Sequence, residues 1–134
     1  MKTTFSPKNN PRVIIIQKLY GKFFNSDEEL TYPKHRFKKF IKDIVTGTIE
    51  RNDIIINELD KSLGDEFTYD KLDKLFQIIL KSATYEFLYK PNVSMKIIIK
   101  EYLNASNFFL DESKTKYLNA LLDNIAKKLR SNNA

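Results

Sequence analysis

Apolar residues recur along this chain at intervals of three and four, and short polar segments separate the stretches that keep that rhythm. In the first stretch Ile16, Leu19, Tyr20 and Phe23 fall on one helical face, which runs to about Phe24. Asn10-Pro11 suits the start of that helix, because asparagine caps free amides and proline loses nothing at the first helical position. The β-branched run at 13–16 by itself favours a strand. The stripe continues past it, so a helix is expected. Residues 25–33 read as a loop. From about Lys34 a long pattern carries Phe37, Phe40, Ile41, Ile44, Val45, Thr48, Ile55, Ile56, Leu59 and Leu63, and closes at Gly64. Gly47 within it marks either close packing or a bend.

Thr68 precedes a third pattern of Leu72, Leu75, Phe76, Ile79, Leu80 and Ala83, which ends before Pro91. Ser94 is placed to cap a fourth, through Ile97, Ile98, Glu101, Tyr102 and Ala105. Asp111-Glu112 suits the positive end of a fifth helix, where Tyr117, Leu118, Leu121, Leu122, Ile125, Ala126 and Leu129 form the stripe. Lys127, Lys128 and Arg130 stand at its negative end. Five helical patterns, with no hairpin signal and no internal repeat, predict an all-α domain.

Charge sharpens this picture. The chain has 134 residues, enough for one domain, with a formal charge of +6. Ten of its 23 basic residues lie in two clusters. Lys2, Lys8, Arg12, Lys18 and Lys22 occupy an acid-free stretch at 1–26, and Lys34, Arg36, Lys38, Lys39 and Lys42 a second at 34–42. Asp27-Glu28-Glu29 lies between them. Charge alone fits a solvated lysine-rich surface or a nucleic-acid face.

The residue inventory excludes most catalysis. With no cysteine, disulfides and thiolate-held metals are impossible, and the lone His35 offers no imidazole pair for a metal. His35 is expected at the surface. The three glycines are isolated, so no phosphate-cradling loop exists. The acid pairs Asp65-Glu66 and Asp111-Glu112 adjoin helix starts, where they satisfy the dipole. Neither catalysis nor a cofactor nor a metal is expected. The longest aliphatic run, at 13–16, is too short to span a membrane, and no apolar stretch of signal-peptide length follows Met1-Lys2. A cytoplasmic location is expected.

Three stretches say more: Gln17-Lys18-Leu19-Tyr20 after Arg12; Ala83-Thr84-Tyr85-Glu86-Phe87-Leu88-Tyr89-Lys90-Pro91-Asn92-Val93 followed by Lys96; and Lys116-Tyr117-Leu118-Asn119-Ala120-Leu121-Leu122-Asp123. In this order and spacing they resemble the NusB family of bacterial transcription antitermination factors. The likeness covers nearly the whole chain. It implies two small helical bundles packed together, a single RNA-binding domain with a flexible arm at about 1–10 and subdomains at about 11–66 and 67–130. It also implies a non-catalytic function. Family members pair with ribosomal protein NusE, bind the boxA element of nascent RNA, and help assemble the antitermination complex on RNA polymerase, notably during ribosomal RNA synthesis.

Carried over position by position, the resemblance makes Lys8, Arg12, Lys116, Tyr117 and Asn119 RNA-binding residues. Tyr20, Glu86 and Lys96 become partner-binding or RNA-adjacent. Each has a plainer reading: Tyr20 and Tyr117 as packed rings, Glu86 as half of a structural salt bridge. The sequence departs from the family in an arginine-poor arm, where Asn9, Asn10 and Pro11 stand, and in Ser113, Thr115 and Ala120. The competing reading is a homodimeric protein-interaction module whose basic surface is incidental.

Overall fold

The computed structural model describes residues 9–27, 29–64 and 68–131, which form six α-helices and no strand. These are α1 (Pro11–Phe24), α2 (Lys38–Glu50), α3 (Asn52–Leu63), α4 (Lys74–Tyr89), α5 (Met95–Ser106) and α6 (Glu112–Ser131), with a short 3-10 turn at Tyr69–Lys71. The all-α class expected from the pattern is the class observed. No helix among the described residues is long and apolar enough to cross a membrane.

Local chemistry sets the helix ends. The Asn10 side chain accepts from the Arg12 amide at 2.9 Å, and the Ser94 hydroxyl accepts from the Ile97 amide at 3.2 Å. Asp111 accepts from the Lys114 amide at 2.9 Å, opening α6. Gly64 closes α3 at φ 77°, a left-handed conformation that costs glycine little. At the other end of α6, Arg130 donates to the carbonyls of Phe87, Lys90 and Val93, tying the C-terminal end of α4 and the turn after it to the last helix.

The long pattern from 34 to 63 proves to be two helices. They join at the single residue Arg51, whose amide still donates to Gly47 O at 3.0 Å and whose carbonyl still accepts from Ile55 at 2.9 Å. The hydrophobic rhythm stays in phase across the joint, which is why periodicity alone misses it. Gly47 marks close packing: a Cβ there would run into the Tyr85 ring. The third pattern also starts later than expected. Leu72 lies in a connection, where its carbonyl and that of Tyr69 accept from the buried Gln77 amide at 3.0 and 2.9 Å.

Helix α4 is the centre of the molecule and packs against every other helix. Helix α1 runs antiparallel to it, with Arg12 beside Glu86 and Phe23 beside Lys74. Helix α6 runs parallel to it, with Tyr117 beside Phe76 and Arg130 beside Phe87. Ile15, Ile16, Ile44, Ile79, Leu80, Ile98, Leu118 and Leu122 are among the side chains of one continuous core. Fully burying one such side chain is worth about 1.5–3 kcal/mol. Every residue from 12 to 16 is buried, because α1 is enclosed by α2, α4 and α5. Enclosure on all sides explains a β-branched run inside a helix.

Candidate functional site

Two of the expected site residues turn inward and meet. Arg12 stands one turn before Ile15 and Ile16 on α1, and Glu86 extends the Ile79–Ala83 face of α4. Both charges therefore sit on apolar stripes. Arg12 donates from Nε to Glu86 Oε2 at 3.1 Å and from its terminal nitrogen to Oε1 at 2.6 Å. The Glu86 side chain is fully buried and that of Arg12 is 9% exposed. The guanidinium also lies over the Phe40 and Tyr102 rings, 5.0 and 5.4 Å from their centroids. Burial opposes the Arg12 charge, but the hydrogen bond and charge of Glu86 outweigh it and raise its pKa. Burial first, then the Glu86 carboxylate, pushes the Tyr102 phenol well above its ordinary value. The surface roles expected of Arg12 and Glu86 thus give way, in this geometry, to an interior clasp between α1 and α4.

The residues expected on α6 lie at the surface. Tyr117 is 40% exposed, with its ring tilted against Phe76 at 5.5 Å. With Lys71, Leu72 and Lys114 it lines a groove of about 470 Å³ that also contains one carboxylate, Asp73. Lys116 and Asn119 are exposed, and Lys116 pairs loosely with Glu112 at 3.8 Å. Ser113 is exposed and donates to Asp111 Oδ1 at 3.0 Å. Tyr20 is 39% exposed and packs edge-on against Phe24 at 4.7 Å. Lys96 is exposed on the first turn of α5. Lys8 lies outside the described residues.

Arg12 and Tyr117 are not brought together. Their partners on α4, Glu86 and Phe76, stand ten residues apart, about 15 Å along a helix. His35 is half-buried and shapes the entry to α2, its Nδ1 accepting from the Phe37 amide at 2.9 Å. Among the described residues no group of three or more His, Asp or Glu side chains could hold a metal ion.

A model of the NusB family matches residues 9–127. The chain belongs to the NusB family. The transcription antitermination protein NusB of Maricaulis maris is 30% identical over 91 residues, covering 68% of this chain and 57% of that protein. Its counterpart in Sphingopyxis alaskensis is 32% identical over 91 residues, covering 68% and 61%. That of Bartonella tribocorum is 28% identical over 110 residues, covering 82% and 68%. The matched stretch is therefore less than two thirds of the length of the Maricaulis and Sphingopyxis relatives. The structure of NusB from T. maritima superposes with a TM-score of 0.74 at 23% identity, over 95% of this chain and 93% of that one. That likeness establishes the NusB fold.

Sequence reasoning gave Glu86 of this NusB-family chain a structural salt bridge as its plainer reading, and missed that the partner is Arg12. The signal was available. An arginine and a glutamate each fall on an apolar stripe, and charges that face a core are paired because an unpaired buried charge is too costly.

Proposed function

We propose that this protein is a non-catalytic, RNA-binding transcription antitermination factor of the cytoplasm. It binds boxA RNA together with ribosomal protein NusE and helps assemble the antitermination complex on RNA polymerase, notably on ribosomal RNA operons. Membership of the NusB family supports the reading. The observation that carries it in this chain is Tyr117, an aromatic ring held half-exposed beside Lys71 and Lys114. A ring that packs against Phe76 and is still 40% exposed can stack on an unpaired base, while the lysines meet the phosphates. Tyr117, Lys116 and Asn119 are the RNA-contacting residues of α6 in this proposal, with Lys8 from the arm. Tyr20 and Lys96 are partner-facing. Arg12 and Glu86 act through the fold, by fixing the first turn of α1 to α4.

Replacing Tyr117 with alanine tests this. The variant should lose roughly 1–3 kcal/mol of RNA-binding free energy, the measured range for removing one stacking aromatic. Thermal melting of the same variant should stay close to that of the parent. A variant that melts early while its folded fraction binds RNA normally would show Tyr117 to be a packing residue and would remove the support it gives.

A further inference from the structure

The second basic cluster, at 34–42, has a structural setting that bulk solvation does not explain. A groove of about 1110 Å³ opens between α1 and the segment that leads into α2. Gln17 and Lys18 line it from α1, and Tyr32, Lys34, Arg36 and Phe37 line it from the other side. Among the described residues it carries three full cations and no carboxylate. None of Lys18, Lys34 and Arg36 forms an ion pair among the described residues. Aromatic rings alternate with these charges. Lys18 Nζ lies 5.9 Å from the Tyr32 centroid, and the Arg36 guanidinium 5.2 Å from that of Phe37. The Phe37 ring is 41% exposed, and the buried Tyr32 hydroxyl has no hydrogen-bond partner among the described residues.

Helix α2 supplies an independent observation. It opens with Lys38 and Lys39, has no acid in its first turn, and has no side-chain cap. Cations at the positive end of a helix dipole are destabilising where the charge is not screened. Stability alone would favour the opposite charge. An anion beside this turn would meet both the lysines and the positive end of the helix dipole.

We propose that this groove is a binding site for single-stranded RNA, in which Lys34 and Arg36 neutralise phosphates and Phe37 stacks on a base. The proposal rests on the RNA-binding function above and extends it to a second surface, on different helices from Tyr117. A groove that offers cations interleaved with exposed rings matches the alternation of phosphate and base along an unpaired strand. Asn9 also lines it, so the arm that contains Lys8 joins the described chain at its edge.

The experiment is titration of the full chain into a fluorescently labelled boxA oligoribonucleotide and a scrambled one of equal length. Salt is varied and NusE is present or absent. Four proteins are compared: the parent, Lys34→Ala/Arg36→Ala, Phe37→Ala and Tyr117→Ala. The double variant should weaken binding to both RNAs by the same factor, about tenfold at low salt, since phosphate contacts read no sequence. Its slope of log affinity against log salt should flatten by about 0.7 for each cation removed. Phe37→Ala should also weaken binding about tenfold with little change of slope. Lys34 and Arg36 are exposed and outside the core, so the double variant remains decisive if Phe37→Ala melts early.

Parent-like affinity and slope in the double variant overturn the proposal, and if Tyr117→Ala is weakened in the same series the RNA-binding function stands without this groove. Loss of NusE binding with RNA binding intact also overturns it, in favour of an acidic protein surface. A parent that binds neither RNA at any salt, with or without NusE, overturns the groove and the RNA-binding function together.

Discussion

Arg12 and Glu86 show most sharply how a charge pattern changes meaning once the chain is folded. Counted in the sequence, Arg12 belongs to an acid-free basic stretch and suits a phosphate. In the structure it is spent on one carboxylate inside the protein. Removing either partner leaves the other charged and buried, so Arg12→Ala or Glu86→Ala should each cost about 3–5 kcal/mol of stability. Replacing both together, Arg12→Met with Glu86→Leu, should cost less than either single change. Chemical denaturation of the three variants checks this, and a double variant as unstable as the sum of the singles would contradict it. The clasp was partly legible: the stripes place both residues on the core side, but nothing in one sequence says that positions 74 residues apart face each other. Tyr117 illustrates the converse. It begins an apolar stripe, yet it stays 40% exposed on α6.

Individual elements were legible where the chemistry is local. The Asn10, Ser94 and Asp111 caps and the terminal Gly64 are each decided within four residues, and the structure has them as the sequence implies. The joint at Arg51 was hidden because its cause is not local. Tyr85 seats against Gly47, Arg51 lies 4.5 Å from the Tyr89 centroid, and Lys81 donates to Asn52 at 2.9 Å, all from α4. Gly47→Ala should therefore destabilise the fold by about 1–3 kcal/mol. Tyr85→Leu introduced alongside should recover part of the loss, whereas no recovery would show that the alanine acts elsewhere.

Helix α6 carries a pH-dependent element of its own. The backbone hydrogen bond from Lys114, then that from the Ser113 hydroxyl, lower the Asp111 pKa below its ordinary value of 3.8. A carboxyl that binds its proton less tightly when folded stabilises the fold fully above the unfolded pKa, and loses that contribution as pH falls through the lowered one. Melting of Asp111→Ala followed from neutral to acid pH should lie below the parent near neutrality and converge on it at acid pH.

At the scale of the whole molecule, the net charge of +6 says less than where its parts lie. Enclosure of Arg12 withdraws one cation and one anion together and leaves the sum unchanged. The lysines and Arg36 around the α1–α2 groove, and Lys71 and Lys114 beside Tyr117, are among the charges in position to act at a surface. Helix α4 fixes the relation between these surfaces, because α1, α2 and α6 all pack on it.

The most direct test is the affinity of the parent protein for boxA RNA against a scrambled RNA, with and without NusE, across a range of salt. Binding should be tighter to boxA, should strengthen when NusE is added, and should weaken steeply with salt. Binding that ignores sequence and is indifferent to NusE would contradict it.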